Sequence, residues 1–110
     1  FVQGMWWLTT EELVFDAEGR LRTHAPSTYK IPCACDVPPD FRVKLHESGG
    51  NRADTIYRSK AVGEPPLMLA ISVWCAINDA IGSLKPGVVP KLVVPATPEN
   101  ILAAVKGMGA

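Results

Sequence analysis

The sequence has no excess of charge of either sign. Its 11 lysines and arginines balance its 11 aspartates and glutamates, and no basic block stands out along the chain. Proteins that bind nucleic acid present clustered basic residues to the phosphate backbone. This chain lacks that property, so we expect no nucleic-acid partner.

Cysteine and histidine are also scarce. The three cysteines, Cys33, Cys35 and Cys75, cannot all pair with one another, and their spacing matches neither Cys-x-x-Cys nor a zinc pattern with the two histidines. We interpret them as reduced thiols of a cytoplasmic protein. The Cys-x-Cys pair is either two small residues of a loop or a weak metal or redox site, and we assign no metal ligand to it.

Long hydrophobic runs are absent as well. The longest apolar stretch, residues 65–81, is shorter than the ~20 residues of a membrane span and contains Ser72, Asn78 and Asp79. No secretory signal pattern precedes it. We therefore expect no membrane partner.

The chain begins at Phe1 rather than at Met, so we expect it to be part of a longer protein.

Apolar content of 47% and charged content of 20% are typical of a globular protein, and 110 residues suffice for one small domain.

Alternation of apolar and charged residues predicts a half-buried strand over Phe41–His46, and a further short strand at Thr55–Tyr57. Residues 12–15 and 20–23 flank a turn at Gly19 and predict a hairpin, although Thr9–Glu12 also fits a helix start. Residues 1–8 read as the end of a helix or strand, and the prolines of residues 24–39 predict an extended loop.

Two helices complete the predicted α+β fold. Pro65 and Pro66 suit the first turn of a helix that runs through Ile81 and ends at Gly82. Apolar residues cover nearly all its faces, which indicates a buried helix that a chain of this size could hardly surround. Thr97, followed by proline and glutamate, predicts the start of a C-terminal helix that ends at Gly107.

Glu64 stands out because it lies between Gly63 and the proline pair, at the mouth of the buried helix. The first amides of a helix point outward with partial positive charge and stabilise a nearby carboxylate. From the residues alone, Glu64 is either a helix-capping acid worth about 1 kcal/mol or a group placed there for chemistry. Gly63 is either a plain tight turn or a point of close backbone approach to a cofactor, and Val62 is a candidate pocket residue.

The stretches Ser27-Thr28-Tyr29-Lys30-Ile31-Pro32 and Ser59-Lys60-Ala61-Val62-Gly63-Glu64-Pro65-Pro66-Leu67 resemble two signature stretches of the xanthine dehydrogenase family, in the family's order. Shorter matches flank them at Leu8-Thr9, Glu11-Glu12-Leu13, Phe41-Arg42-Val43, Ala76-Ile77, Asp79-Ala80-Ile81 and Pro95-Ala96-Thr97-Pro98-Glu99. The chain departs from the family pattern at Trp6, where glycine is common, and at Trp74-Cys75. The resemblance implies that residues 1–110 are a C-terminal segment of the molybdopterin-binding domain.

The resemblance also implies an activity. Members of the family hydroxylate purines at a molybdenum held by a pterin cofactor, with water as the oxygen source, and the glutamate of the Gly-Glu-Pro-Pro stretch is their general base. That role is implied for Glu64, with Gly63 and Val62 next to the cofactor. Iron–sulfur clusters (2Fe-2S), FAD and the acceptor NAD belong to other domains or subunits, which are the expected partners, and we expect an oligomer.

Two alternatives remain open. Aldehyde oxidases share the glutamate but typically have Gly-Glu-Ser-Gly where this chain has Gly63-Glu64-Pro65-Pro66, so the proline pair favours a purine substrate. A noncatalytic packing module of a degenerate relative is the other alternative, and the presence of Glu64 argues against it. By itself the segment is expected to be inactive, since the remaining pocket and the redox centres lie elsewhere.

Overall fold

Three α-helices make up most of the regular structure in the computed structural model, which describes residues 1–47, 51–60 and 65–109. Helix α1 covers Val2–Trp7, α2 covers Pro65–Gly82 and α3 covers Pro98–Gly107. Two single turns of 3₁₀ helix, Ala34–Asp36 and Ile56–Arg58, lie in the long connection between α1 and α2. None of the helices in these ranges is long and apolar enough to cross a lipid bilayer.

Residues 1–8 were predicted to be the end of a helix or of a strand, and Val2–Trp7 form a helix, α1. It ends where the Trp6 carbonyl accepts three amide hydrogen bonds, from Thr9, Thr10 and Glu11, at 3.0–3.1 Å. The Thr9 hydroxyl also donates to the Met5 carbonyl at 2.8 Å. Because these bonds satisfy carbonyls that a helix end leaves free, the chain leaves α1 in a fixed direction.

Helix α2 confirms the helix predicted after the proline pair. Only Ala70 and Ile81 are buried among its described side chains, and Met68 is 73% exposed. This exposure agrees with the expectation that a chain of this size could hardly surround the helix, and burial of α2 in a larger protein stays a prediction. The described residues offer too little apolar surface to cover a helix that is apolar on nearly all faces.

Helix α3 begins as the sequence predicts. Thr97 is its N-cap, and its buried hydroxyl accepts the Asn100 amide at 3.2 Å. Pro98 occupies the first turn and Gly107 is the last helical residue. Threonine capping and a proline whose missing amide would have had no partner explain why the helix starts here.

The core lies between α2, α3 and the segment that precedes α3. Its buried members are Ile81, Leu92, Ala96, Ala104 and Met108. Trp74 and Ile77 of α2 and Ile101 and Val105 of α3 pack against this cluster while remaining half-buried. The core therefore fixes α3 and the second half of α2 relative to each other.

The predicted strands are largely absent from the described residues. The hairpin is reduced to one antiparallel bridge between Phe15 and Leu21, with Gly19 at the positive φ that its turn needs. The strand over Phe41–His46 is wrong, since these residues have no regular structure, and residues 55–57 contribute to a 3₁₀ turn. A strand needs a neighbour for its amides and carbonyls, and no described segment supplies one, so the fold is mostly helical rather than α+β.

Candidate functional site

The candidate catalytic residue Glu64 and its neighbours Val62 and Gly63 lie outside the described residues. The structure therefore defines the site from its two flanks, the segment that ends at Lys60 and the helix that begins at Pro65. Both flanks have their own fixed geometry, and α1 contacts the second of them.

The flank after Glu64 is held by a backbone contact with α1. Gly4 is the buried residue of α1, and a Cβ atom at this position would lie 2.2 Å from the Pro66 carbonyl oxygen, 2.9 Å from its carbon and 3.0 Å from its Cα. Real Cβ atoms do not approach backbone atoms so closely. Only glycine therefore allows α1 to pack against the first turn of α2 in this way.

The flank before Glu64 is a segment that bonds to itself. The Ser59 carbonyl accepts the Thr55 hydroxyl at 2.7 Å and the Asn51 side-chain amide at 3.5 Å. Tyr57 and Arg58 adopt positive φ values of 51° and 53°, an uncommon conformation for residues other than glycine. These local bonds fix the direction in which the chain approaches Lys60.

The other family-like stretch, Ser27–Pro32, is attached to the end of α1. The Tyr29 hydroxyl donates a hydrogen bond to the Glu11 carboxylate, and the Thr10 hydroxyl donates to the Lys30 carbonyl at 3.4 Å. The hydrogen bond to Glu11, with burial and the charge of that carboxylate, raises the pKa of Tyr29. Helix α1 thus contacts one family-like stretch through Gly4, and Thr10 and Glu11, which follow α1, bond to the other.

Two apolar cavities lie beside these contacts. One of about 360 Å³ lies next to α1, and its walls include Trp6, Val73, Ile77 and Ile101. The other, of about 340 Å³, is lined by Leu13, Thr23, His24, Ala25, Pro26, Tyr29 and Ile31. Neither contains a cluster of acids or bases, so among the described residues they can accept apolar groups but offer no catalytic pair.

Three side-chain polar atoms are buried without a hydrogen-bond partner in the described part of the chain. They are the indole nitrogens of Trp6 and Trp74 and the amide oxygen of Asn78. Residues 1–47, 51–60 and 65–109 also include no group of three or more side chains placed to hold a metal ion, and Cys33, Cys35 and Cys75 are free and exposed.

Gly4 was not among the functional residues predicted from the sequence. The sequence shows only that Gly4 lies in an apolar stretch near the start of the chain. A glycine at such a position is not unusual unless the residue that packs against it is known. The contact with Pro66 joins residues 62 positions apart in the sequence, and no local pattern reports such a contact.

The chain is similar to a known protein family and to several curated proteins. Residues 1–38 match the family described as "Molybdopterin cofactor-binding domain", a range that includes α1, Glu11 and Tyr29. Xanthine dehydrogenase/oxidase of Felis catus is 48% identical over 108 residues, which is 92% of this chain and 8% of that protein. Xanthine dehydrogenase of Dictyostelium discoideum is 52% identical over 85 residues, 77% of this chain and 6% of that protein.

Aldehyde oxidases are similar at a lower level. Aldehyde oxidase 1 of Bos taurus is 39% identical over 109 residues, which is 94% of this chain and 8% of that protein. The chain therefore spans less than a tenth of the length of these curated relatives. The matched region includes both signature-like stretches in the two proteins that align over more than 90% of the chain.

Proposed function

Because this chain belongs to the xanthine dehydrogenase/oxidase family, we propose that it is a C-terminal segment of the molybdopterin-binding domain of a purine hydroxylase. The reaction proposed for the whole protein is oxidation of hypoxanthine and xanthine to urate, with water as the oxygen source. The main support is 48% identity across 92% of the chain with a xanthine dehydrogenase/oxidase.

The choice of a purine over an aldehyde rests on two observations. Identity is 48–52% with the xanthine dehydrogenases given above and 39% with the aldehyde oxidase. The Pro65-Pro66 pair that follows Glu64 is also the form expected of purine hydroxylases. An aldehyde oxidase-type hydroxylase is the second candidate, favoured only by the shared region of similarity.

The residues near Glu64 suit an anionic organic cofactor such as the molybdenum pterin. The positive end of the α2 dipole lies at Pro65–Pro66. Leu67 and Met68 in the same turn are 49% and 73% exposed and provide apolar surface for a flat ring system. In this proposal Val62 and Gly63 lie against the cofactor, which supplies the redox chemistry when it is bound.

Glu64 is the general base of this proposal. A glutamate titrates near ~4.3 when free, and a base works best when its pKa is near the working pH. The role of the chain's own residues is to hold this carboxylate at one place beside the substrate and to keep water away from it.

The rest of the enzyme belongs to the same proposal. FAD and 2Fe-2S clusters lie on other domains or subunits and pass electrons to NAD, and the complete protein is a cytoplasmic oligomer. These expectations follow from family membership. The chain's remaining role is to pack against those other parts, for which the uncovered apolar residues of α2 provide surface.

The test uses the full-length, molybdenum-loaded protein and its Glu64→Gln variant. Glutamine keeps the size and hydrogen-bonding reach of the side chain but cannot take up a proton. We expect turnover of xanthine to fall by at least about 100-fold, the lower range of general-base effects, while molybdenum content stays unchanged. A normal rate in the variant would exclude the general-base role, and faster turnover of an aromatic aldehyde than of xanthine by the unmodified protein would exclude the purine assignment.

A further inference from the structure

Helix α1 meets the first turn of α2 with backbone against backbone at Gly4. At Gly4, the space for a Cβ atom is already filled by the Pro66 carbonyl group, 2.2 Å away at its oxygen. A backbone carbonyl within a helix cannot rotate aside as a side chain can. The ring of Pro66 also fixes its φ angle, which removes one further way to relieve a collision.

Helix α1 cannot withdraw from this contact easily, because its other end is attached to the core. The Leu8 carbonyl accepts the amide of Ala96 at 2.7 Å. Ala96 is 2% exposed and belongs to the core cluster, and the next residue, Thr97, caps α3. A group added at Gly4 would therefore push on α2 more than on α1.

The part of α2 that would move lies directly beside the proposed base. Pro66 follows Glu64 by two residues, and consecutive Cα atoms are held about 3.8 Å apart. A shift of the first turn of α2 is thereby passed to Glu64 through covalent bonds. Misplacing a catalytic group by about 1 Å can lower the rate about 100-fold.

We propose that Gly4 is a positioning residue for Glu64: its missing side chain lets α1 serve as the support against which the first turn of α2 is set. This inference rests on the proposed function, since it assigns a structural cause to the placement of the proposed base. Gly4 does not touch the substrate in this proposal. Its effect passes through Pro66 alone.

The test compares Gly4→Ala with Gly107→Ala in the full-length, molybdenum-loaded protein. Both replace a helical glycine, but a Cβ at Gly107 meets nothing within 4 Å. For Gly4→Ala we expect kcat on xanthine to fall about 10- to 100-fold, with KM and molybdenum content within about twofold of the unmodified protein. Gly107→Ala should match the unmodified protein in all three.

Hydrogen exchange provides a second measurement that does not depend on activity. Amides of residues 67–70 in the first turns of α2 should exchange faster in Gly4→Ala than in Gly107→Ala, while those of residues 101–106 in α3 should be unchanged. Unchanged exchange at residues 67–70 together with normal kcat would overturn the inference. The inference would also be overturned if Gly4→Ala failed to accumulate as soluble, metal-loaded protein while Gly107→Ala did accumulate. Gly4 would then be required for folding rather than for placing Glu64.

The double variant Gly4→Ala with Glu64→Gln separates this inference from the proposed function. If Gly4 acts through Glu64, the double variant should be no slower than Glu64→Gln alone, because the two losses are not additive. Full activity of Glu64→Gln would contradict the proposed function itself. An inactive Glu64→Gln beside a fully active Gly4→Ala would leave the base in place and contradict only the role of Gly4.

Discussion

The phenol of Tyr29 donates a hydrogen bond to the carboxylate of Glu11, a residue 18 positions earlier in the chain. Glu11 is itself held close to α1, since its amide donates to the Trp6 carbonyl at 3.0 Å. The pair therefore attaches the Ser27–Pro32 stretch to the end of α1. Both residues are half-buried, so the bond is protected from solvent more than a bond between fully exposed side chains would be.

Replacement of Tyr29 by phenylalanine should loosen this attachment. The change removes one hydrogen bond to a charged group, worth about 1.5–3 kcal/mol before solvent screening and less than that here because the pair is only half-buried. We expect amides of residues 27–31 to exchange faster in the full-length variant. Thr28→Val removes a hydroxyl bonded only to the nearby Ala25 backbone and is the control; an equal effect of both variants would contradict the prediction.

The same pair should make the attachment sensitive to alkaline pH. The hydrogen bond to Glu11 raises the pKa of Tyr29 above its usual value of 10.0. Because folding raises this pKa, the protonated Tyr29 hydroxyl stabilises the folded protein fully below pH 10. This stabilisation is lost as the pH rises through the raised pKa. The exchange difference between Tyr29→Phe and the unmodified protein should therefore disappear at high pH, and a difference that persisted there would count against the bond.

Thr97→Ala should destabilise the start of α3. The buried threonine hydroxyl accepts the Asn100 amide at 3.2 Å, and loss of such a cap costs about 1 kcal/mol. Exchange of amides in the first turn of α3 should rise about fivefold, the equivalent of that energy at 25 °C. Thr97→Ser keeps the hydroxyl and should change exchange little; if serine were as harmful as alanine, packing of the methyl group would be the cause.

Asp16 should make the turn before Arg20 sensitive to acid. The backbone amide of Arg20 is the largest of several hydrogen bonds that lower the pKa of this carboxyl below its usual 3.8. A lowered pKa means that the stabilisation is present above pH 3.8 and is lost as the pH falls through the lowered value. Asp16→Ala removes these hydrogen bonds at every pH. At neutral pH, trypsin should therefore cleave this variant after Arg20 faster than it cleaves the unmodified protein. Asp40→Ala, which removes a separate exposed ion pair, should not change the rate of cleavage.

Ile81, a buried member of the core, and Trp74, which packs against the core, should respond differently to substitution. Ile81→Ala removes buried methyl groups and should cost about 2–5 kcal/mol of local stability. Trp74→Phe also reduces volume, but it removes a buried indole N–H that has no partner among the described residues, a group that costs about 1–3 kcal/mol. We expect Trp74→Phe to be close to neutral by hydrogen exchange of α2, and a loss as large as that of Ile81→Ala would mean that the N–H is satisfied.

Local sequence signals predicted the helices well and the strands poorly. The proline pair and Gly82 bound α2, and Thr97 with Pro98 begins α3, because caps and prolines act within a few residues of themselves. The alternation over Phe41–His46 predicted a strand that the structure lacks. A strand depends on a partner elsewhere, and Val43 and Leu45 are 72% and 86% exposed with no partner in the described part of the chain.

The candidate site was predictable only in part for the same reason. Glu64 was found through its neighbours in the sequence and stays a prediction. The contact of Gly4 with Pro66 depends on how two helices meet, and the attachment of Leu8 to Ala96 depends on where α3 begins. Such contacts follow from the assembled fold and cannot be read from either segment alone.

The gap left by the missing side chain at position 4 also has a genetic consequence. Every amino acid other than glycine has a Cβ atom, so no codon change that alters this residue yields one that fits beside Pro66. In a saturation library selected for growth on a purine as the nitrogen source, position 4 should admit glycine codons only. Position 107, where an added Cβ atom would meet nothing within 4 Å, should admit several residues at modest cost.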